Sequence, residues 1–425
     1  MMTAEEVSTQ VLEMGRKARA AALELAVLSV EKKNEILLAM AQGLRAHSAK
    51  ILEANAKDIE AGEGRELSSA MLDRLRLDEV RLEAVAAGVE KVAKLNDPVG
   101  EQLAEWRHPQ GFQIEQVRVP IGVIGIIYES RPNVTSDAAV LCLKSGNATI
   151  LRGGSEAIHS NRAIAEALQV GGEVAGLPAN AIQLIPFTDR ESVKVMAGMD
   201  QYLDLIIPRG GKGLIETVVS LARMPVIKHY DGICHVYVAA RADFKKAVEI
   251  VVDSKTQKPS VCNALETLLV DEAVAAEFLP QVAQALEEKK VELRGDEGTQ
   301  AILGNRVKRA CEEDWEMEYL DYILAVKVVG SVTEAMAHVN EYGSKHSDCI
   351  VTEDKDEAEM FLRGVDSACS FHNLSTRFSD GEEFGFGAEI GISTDKLHAR
   401  GPMALRELTS YQYRLRGDGQ IKAKL

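Results

Sequence analysis

The sequence has no apolar stretch long enough to cross a membrane. Its longest apolar run, Val119–Tyr128, is about half of the roughly 20 residues that a membrane-spanning helix needs. The beginning of the chain is acidic and has no apolar signal core, so we expect no secretory leader. These absences predict a cytoplasmic protein that is not bound to a membrane.

The sequence has few cysteines and fewer basic than acidic residues. The six cysteines form no Cys-x-x-Cys pair, which indicates neither a zinc site nor a disulfide framework, so we expect no metal. The 49 basic and 65 acidic side chains leave a formal net charge of −16. Such an acidic chain is a poor partner for nucleic acid or an anionic membrane surface. Any anionic ligand must be held by a local cluster of donors.

The composition is that of a globular protein. Hydrophobic residues make up 46% and charged residues 27% of the 425 positions, and this length predicts two or three domains. The first hundred residues are predicted to be helical, because Ile36, Leu37, Met40 and Leu44 recur at helical spacing. The segment Asn96–Gly100 then breaks the pattern.

From residue 121 onward, short apolar strands alternate with helices, which is typical of buried parallel sheets. The first series of predicted strands is Gly122–Ile127, Ala148–Leu151, Ile182–Ile185 and Leu203–Ile207. The second series is Ile233–Val238, Leu265–Val270, Ala325–Val329 and Asp348–Val351. The predicted fold class is therefore α/β, with two domains that join near residue 240.

Two strand-like segments lie outside both series. Phe112–Val119 alternates between polar and apolar residues and is predicted to form a hairpin with Trp106–His108. Thr409–Leu415 alternates as a lone strand. A lone strand needs a sheet edge to pair with, which its own chain or another subunit could supply.

Two glycine-rich clusters, Leu151–Glu156 and Pro208–Gly213, each follow an apolar strand and open a helix. Glycines let a ligand approach the backbone, and helix starts offer N–H donors. Together the clusters predict a dinucleotide or phosphate site at the carboxyl ends of parallel strands. Neither is a Gly-x-Gly-x-x-Gly or a Walker motif, and two tight strand–helix turns are the alternative.

Three further residues each allow two interpretations. Cys262 follows the cationic stretch Lys255–Ser260, so it is either a nucleophile or a small buried side chain, and the other five cysteines are predicted to be inert packing residues. Asn133 precedes a helix and is predicted either to cap it or to donate to an oxyanion. His346, in a Gly-Ser loop, is interpreted as a surface rather than a catalytic histidine.

The combination of motifs resembles one known family. The blocks that carry the resemblance are Tyr128–Asn133, Ile150–Gly154, Ile206–Gly211, Pro259–Ala264, Gly343–Asp348 and Phe384–Gly391. This set is similar to the aldehyde dehydrogenase superfamily and, within it, to the acyl-phosphate branch, the gamma-glutamyl phosphate reductases. The resemblance spans nearly the whole chain.

The resemblance implies a fold of two Rossmann-like parallel-sheet domains and a small β oligomerisation arm. The cofactor-binding domain would comprise residues 1–104 and 121–240, and the catalytic domain with its return segment residues 241–401. The arm would comprise residues 105–120 and 402–425 and would join subunits into a homodimer or homotetramer.

The implied reaction is the NADPH-dependent reduction of L-glutamyl 5-phosphate to L-glutamate 5-semialdehyde, with release of phosphate, in L-proline biosynthesis. Cys262 would form a thioester, and Asn133 together with the Cys262 backbone N–H would hold the oxyanion. The implied cofactor-binding residues are Arg152, Gly153, Gly154, Ser155, Gly210, Gly211, Lys212 and Glu318. The resemblance also allows an association with glutamate 5-kinase, which makes the unstable substrate.

The substrate is expected to be held by two groups of side chains. A carboxylate can be clamped bidentately by Arg, so Ser375, Thr376 and Arg377 are the candidates for the α-carboxylate. The candidates for the phosphate are Arg131, Lys258 and His346.

The sequence departs from the family pattern at two places. The reductases often carry Lys where this chain has Ser155, which bears on the cofactor 2′-phosphate. Hydrolytic aldehyde dehydrogenases carry a Glu that activates water, and the matching stretch Tyr230–Cys234 has none. A water-activating base would hydrolyse a thioester that hydride or phosphate should resolve.

Two alternatives stay open at the level of the sequence. One is another aldehyde dehydrogenase or acyl-phosphate reductase with a different substrate. The other is a catalytically silent dinucleotide-binding protein on the same fold, against which the joint presence of Cys262, Asn133 and Glu318 argues.

Overall fold

The computed structural model describes residues 2–422 as helices that alternate with strands after an all-helical beginning. The helices are α1 (Ala4–Leu25), α2 (Val30–Ala46), α3 (Ser48–Gly64), α4 (Ser69–Leu75), α5 (Glu79–Lys94), α6 (Val134–Lys144), α7 (Ile158–Val174), α8 (Glu191–Gly198), α9 (Lys212–Leu221), α10 (Phe244–Thr256), α11 (Glu272–Glu288), α12 (Glu297–Leu303), α13 (Val332–Tyr342) and α14 (Lys355–Gly364). The strands are β1 (Gln102–Arg107), β2 (Gln113–Pro120), β3 (Val123–Tyr128), β4 (Ala148–Gly153), β5 (Ile182–Leu184), β6 (Leu205–Arg209), β7 (Cys234–Val238), β8 (Leu265–Asp271), β9 (Glu292–Gly295), β10 (Lys308–Arg309), β11 (Ile323–Val329), β12 (Ser347–Val351), β13 (Cys369–His372), β14 (Gly391–Ser393), β15 (Gly401–Met403) and β16 (Thr409–Arg416). Short 3₁₀ turns lie at Ser155–Ala157, Gly304–Arg306, Glu312–Glu316 and Thr376–Phe378.

The helical beginning follows its local sequence signals. Most of these helices start at a side chain that accepts a hydrogen bond from the backbone N–H three residues further on. The capping residues are Thr3, Ser29, Ser68 and Asp78. α5 ends directly before the predicted break at Asn96–Gly100, so the prediction of a helical first segment is confirmed.

The first sheet carries the first predicted series of strands. Its order is β5-β4-β3-β6, and all of its pairs are parallel. Every residue of β3 and β4 is buried, which explains their continuous apolar runs. Tyr128, the last residue of β3, pairs with Gly153 of β4 and with Arg209 of β6. The loops after these three strands therefore share the carboxyl edge of the sheet.

The second sheet has the order β10-β9-β11-β8-β7-β12-β13 and is also parallel throughout. Apolar clusters cover both of its faces, one around Leu268 and Phe278 and the other around Tyr237 and Phe361. The four predicted strands of the second series are all present. The family's α/β architecture of two parallel sheets is thus confirmed.

A third sheet is antiparallel and has the order β1-β2-β16. It confirms the predicted hairpin and shows where the lone strand pairs. β16 bonds to β2 of its own chain, from Thr409 opposite Pro120 to Arg416 opposite Gln113. The sheet edge is therefore supplied within the chain. The remaining short strands, β14 and β15, pair with each other.

The chain divides into two compact units. The first contains the residues up to Lys228, Phe386–Gly391 and the residues from Met403 onward, and the second contains His229–Gly385 and Ile392–Pro402. The boundary between the two units lies before β7, because β7 pairs with β8 and β12 of the second sheet. The predicted cofactor-binding domain, in contrast, extended to residue 240. The functional roles of the predicted domains stay predictions, and their outermost positions, 1 and 423–425, lie outside the described residues. Among residues 2–422, no helix combines the length and apolar character that a membrane span requires.

Candidate active site

Cys262 lies in a turn between α10 and β8, and its side chain is partly exposed. Hydrogen bonds fix the backbone of this turn. The Cys234 thiol donates to the Cys262 carbonyl at 3.3 Å, and the Thr376 hydroxyl donates to the Asn263 carbonyl at 2.7 Å. The Asn263 amide donates to the Ser379 carbonyl at 3.0 Å. The turn is thus held in place while the thiol keeps access to solvent.

Accessibility separates the six thiols. Cys142, Cys234, Cys349 and Cys369 are buried. Burial raises the pKa of the Cys142 thiol and of the Cys349 thiol to about 12, so neither ionises near neutral pH. The prediction of buried packing residues is confirmed for these four and is wrong for Cys311, which is exposed. A hydrogen bond from the Cys311 thiol to Asp314 raises the pKa of Cys311, which disfavours its thiolate.

Gly232 connects Glu318 to the cysteine turn. The Gly232 N–H donates to Oε1 of Glu318 at 2.8 Å. A Cβ added to Gly232 would overlap the Cys262 backbone, at 2.5 Å from its carbonyl carbon, so only glycine fits there. Burial raises the pKa of the Glu318 carboxyl. The structure therefore brings two of the predicted residues to one glycine.

A buried ion pair supports the same region. Nζ of Lys255 lies 2.6 Å from Oε2 of Glu266, and both side chains are fully buried. Oε1 of Glu266 accepts the Leu320 N–H at 3.3 Å, so the pair joins α10 and β8 to the loop that carries Glu318. Burial raises the pKa of Glu266 and lowers the pKa of Lys255, and the attraction between them opposes both shifts. This pair was not predicted from the sequence, although an acidic residue in an apolar strand is itself a signal of a buried ion pair.

The predicted carboxylate-binding residues form a short 3₁₀ turn beside the cysteine turn. The Ser375 and Thr376 side chains are buried. The Ser375 hydroxyl accepts the Arg377 N–H at 3.2 Å and lies 3.0 Å from the Ser254 hydroxyl. Arg377 is only half-buried, and its Nε donates to Gln257 at 2.7 Å. Both hydroxyls thus support the fold, and the substrate contact predicted for these residues stays a prediction.

The predicted phosphate-binding residues differ in their exposure. His346 is fully buried, so its interpretation as a surface histidine is wrong. The residue directly precedes the buried strand β12, and its Nδ1 lies 2.8 Å from the Ser347 hydroxyl. Lys258, in the second unit, and Arg131, in the first, are exposed. Their role towards phosphate stays a prediction.

The glycine-rich clusters lie at the carboxyl edge of the first sheet, as predicted. Two carboxylates accept hydrogen bonds from backbone N–H groups at this edge, one in the second cluster and one in the loop after β3. The Glu129 carboxylate accepts the Gly211 N–H at 3.0 Å. The Glu156 carboxylate accepts two hydrogen bonds from Ser130, one from its backbone N–H and one, at 3.0 Å, from its hydroxyl. A Cβ on Gly154 would lie 2.6 Å from the Glu156 carboxyl carbon. This edge therefore carries backbone N–H donors that anionic oxygens approach closely. A bound phosphate would need donors of the same kind.

The charged and small residues of these clusters have different surroundings. Arg152 is only 8% exposed, its Nη2 donates to the Thr188 carbonyl at 2.9 Å, and burial lowers its pKa. Gly153 is buried against Asn161, whose Cγ would be 3.1 Å from an added Cβ. Ser155 is exposed, and so are the other predicted contacts Gly210, Gly211 and Lys212.

Asn133 occupies the N-cap position of α6 but makes no capping bond with its side chain. Its Nδ2 instead donates to Oδ2 of Asp137 at 2.8 Å, so the interpretation as a side-chain cap is wrong. Burial raises the pKa of the Asp137 carboxyl to about 6, against the lowering effects of the Asn133 amide and the Arg209 charge. Asp137 was not predicted as a partner of Asn133, although the four-residue spacing places both residues on one helix face.

Comparisons with known proteins agree with one another. The family model for the aldehyde dehydrogenase family matches residues 2–312. A gamma-glutamyl phosphate reductase of Moorella thermoacetica is 55% identical over 98% of this chain and 99% of its own length, and one of Geotalea daltonii is 53% identical with the same coverage. The crystal structure of gamma-glutamyl phosphate reductase from Thermotoga maritima is similar with a TM-score of 0.95 and 44% identity, over 97% of this chain and all of that one. The predicted resemblance is thereby confirmed.

Proposed function

Because the chain belongs to the aldehyde dehydrogenase family, and within it to the gamma-glutamyl phosphate reductases, we propose that it reduces L-glutamyl 5-phosphate with NADPH. The products are L-glutamate 5-semialdehyde, NADP and inorganic phosphate, and the reaction is a step of L-proline biosynthesis. A small-molecule substrate and the use of NAD or NADP are common to the family. The choice of NADPH and the roles of individual residues are part of the proposal.

The observation that carries the proposal is the accessible thiol of Cys262 in a rigid turn. Its thiolate attacks the acyl carbon, the carbonyl oxygen becomes an oxyanion, and the phosphate leaves with the electron pair of the broken C–O bond. The resulting thioester accepts a hydride, which NADPH supplies. The hemithioacetal then collapses and releases the aldehyde and the thiolate.

Two donors are proposed for the oxyanion, the Asn133 side chain and the Cys262 backbone N–H. The Asn133 amide is not used as a helix cap. Its nitrogen carries two hydrogens, and one bond to Asp137 leaves the second hydrogen to donate. Loss of a single oxyanion donor typically costs about 10²–10³ in rate.

The residues at the carboxyl edge of the first sheet fit a dinucleotide. A Cβ on Gly154 or on Gly210 would overlap the carboxylate of Glu156 or of Glu129, so acidic oxygens already approach the backbone closely at both glycines. The Gly211 N–H likewise donates to a carboxylate oxygen. We assign the pyrophosphate to Gly210, Gly211 and Lys212, the adenosine ribose to the turn from Arg152 to Ser155, and the nicotinamide ribose to Glu318. A chain of net charge −16 would repel the 2′-phosphate without a nearby cation, and Arg152 supplies one.

The proposed reaction also explains why the chain lacks the water-activating glutamate of hydrolytic aldehyde dehydrogenases. The stretch Tyr230–Cys234 carries no glutamate, and the buried carboxylate of Glu266 is paired with Lys255. Neither is placed to serve as a water-activating base, so the thioester survives until hydride or phosphate reacts with it.

The reverse reaction tests the proposed function. The purified protein is incubated with glutamate 5-semialdehyde and NADP, with inorganic phosphate, with coenzyme A, or with neither. We expect NADP reduction only with phosphate. NADP reduction with neither addition would indicate a hydrolytic aldehyde dehydrogenase. NADP reduction that requires coenzyme A would indicate an acylating aldehyde dehydrogenase. No reduction under any condition would indicate a catalytically silent dinucleotide-binding protein.

The assembly and the cellular setting complete the proposal. The exposed three-stranded sheet β1-β2-β16 is the surface through which we propose a homodimer or homotetramer. A biosynthetic NADPH-dependent enzyme would act in the cytoplasm. An association with glutamate 5-kinase would shorten the life of the unstable acyl phosphate in solution, and co-sedimentation of the two proteins would test it.

A further inference from the structure

Asp137 is the hydrogen-bonding partner of the Asn133 side chain. Its Oδ2 lies 2.8 Å from Nδ2 of Asn133, one helical turn away at the start of α6. A carboxylate can only accept, and of the two ends of an amide only the nitrogen can donate. The bond therefore determines which end of the Asn133 amide faces Asp137 and turns the amide oxygen away from it.

Asp137 is half-buried, and its neighbours in the first turns of α6 are uncharged. Most residues of α6 are buried, among them Thr135 and Ser136 next to Asp137. The charge that acts on its carboxylate from a neighbouring element is that of Arg209, at the end of β6. An acidic residue in the first turn of a helix usually serves the helix dipole, which is worth about 0.3–1 kcal/mol. Asp137 differs from such a residue because it bonds to the side chain proposed to stabilise the oxyanion.

We propose that Asp137 is a positioning residue for Asn133, an inference that rests on the proposed function. The ionised carboxylate accepts one Nδ2 hydrogen and so directs the second hydrogen towards the oxyanion. A protonated Asp137 can both donate and accept, so it no longer fixes the orientation of the Asn133 amide. In the turned orientation the amide oxygen takes the place of the donor and repels the oxyanion, so the rate falls.

This role predicts a pH dependence with a definite sign. The pKa of Asp137 is raised to about 6, so the carboxylate is ionised above that pH and protonated below it. The rate should fall as the pH drops through about 6. Other steps of the reaction can add their own pH dependence, so the Asn133 amide must also be observed directly.

The test compares Asp137→Asn and Asp137→Ala with a matched control, Glu191→Gln, which removes an acidic residue from the first turn of α8 in the same unit. We expect Asp137→Ala to lower kcat about 10- to 100-fold with KM changed less than about twofold, because Asn133 is still present but no longer oriented. Asp137→Asn should flatten the acid limb of the kcat profile near pH 6. Glu191→Gln should leave both kcat and the profile unchanged.

A second readout does not depend on activity. Selective ¹⁵N labelling of asparagine shows the Asn133 side-chain amide, which the loss of a signal in Asn133→Ala identifies. Its chemical shift should titrate near pH 6 in the wild-type protein and not in Asp137→Asn. An amide signal that does not titrate, or an Asp137→Ala variant with unchanged kcat and a lower Tm, would overturn the positioning role. A wild-type protein without any turnover would instead refute the proposed function, and the amide titration would still decide whether the two side chains are coupled.

Discussion

The backbones of Gly232 and Cys262 are in direct contact, with no room for a side chain between them. A Cβ on Gly232 would overlap the Cys262 backbone and lie 2.5 Å from its carbonyl carbon. The N–H of the same glycine donates to Glu318 at 2.8 Å. Position 232 thus couples the turn that presents the thiol to the carboxylate predicted to bind the nicotinamide ribose.

Gly232→Ala should therefore impair catalysis. The added methyl group must displace the cysteine turn, and a misplacement of about 1 Å can cost 10²-fold in rate. We expect kcat to fall by about 10- to 100-fold. The matched control is Gly88→Ala, in the middle of α5, where an added Cβ has no atom within 4 Å. It should stabilise the protein by about 0.5–1 kcal/mol without changing kcat. Equal kcat in the two variants would show that the turn tolerates displacement.

Cys262→Ser should abolish turnover and leave the fold intact. A hydroxyl is a far weaker nucleophile than a thiolate at neutral pH, and the side chain is only partly buried. The control is Cys311→Ser, which removes the other accessible thiol. We expect full activity from this control and unchanged Tm for both variants. Retained activity in Cys262→Ser, or its loss in Cys311→Ser, would contradict the assignment of the nucleophile.

The sheets could be predicted wherever a strand is apolar along its whole length. β3 is apolar throughout, and β8 has a mainly apolar sequence interrupted by Glu266 and Thr267; both strands are buried at every residue and are followed by a helix, so their sequences indicate buried strands. β9 and β10 escaped prediction because they are short and contain Glu292, Arg294 and Lys308, and so carry no periodic signal. Strand order was equally inaccessible, because it depends on contacts between distant segments.

Individual residues of the candidate site could be predicted from the sequence, but the hydrogen bonds that connect them could not. Cys262 and Asn133 stand in recognisable motifs, whereas the bond between Gly232 and Glu318 joins residues 86 positions apart. The burial expected from local sequence was also wrong for residues whose burial depends on contacts with distant segments. His346 is covered because β12 begins directly after it, and Cys311 is exposed although its neighbours suggested packing.

Asn133→Ala separates the oxyanion role from a structural one. A lost capping bond would cost about 1 kcal/mol of stability, but the Asn133 side chain makes no such bond. We expect Tm to stay nearly constant and kcat to fall by about 10²–10³. Thermal unfolding and steady-state kinetics on the same preparation decide the question. A lower Tm with unchanged kcat would point to a purely structural side chain.

Ser155→Lys should strengthen the preference for NADPH. Ser155 is exposed at the start of the 3₁₀ turn that follows β4, so a lysine there would add a cation near the proposed site of the adenosine ribose. An exposed ion pair contributes roughly 0.2–1 kcal/mol, which corresponds to a KM for NADPH lower by up to about fivefold. The KM for NADH should not change. Ser220→Lys adds the same charge near the end of α9 and should affect neither KM.

The three-stranded sheet exposes a set of large apolar side chains. Trp106 of β1 is 44% exposed, and on β16 Tyr411, Tyr413 and Leu415 are 53%, 51% and 60% exposed. The Trp106 and Tyr413 rings are in edge contact, with centroids 6.0 Å apart, which places them on one face of the sheet. Alternate residues of a strand share a face, so the three side chains of β16 lie together. Such a contiguous apolar face usually marks a protein–protein contact.

We predict that this face joins subunits of a homo-oligomer, and Tyr413→Glu tests it more gently than removal of the strand. A carboxylate at position 413 puts a charge into the apolar face but leaves the backbone pairing of Tyr413 with Gln116 in place. Sedimentation should show a smaller mass than for the wild-type protein, with lower activity although β16 carries no predicted catalytic group. The control is Gln412→Glu, which adds the same charge on the opposite face and should leave the mass unchanged. If Tyr413→Glu sediments like the wild type and keeps its kcat, the sheet is not the subunit contact. If both variants dissociate, net charge rather than the apolar face governs the assembly.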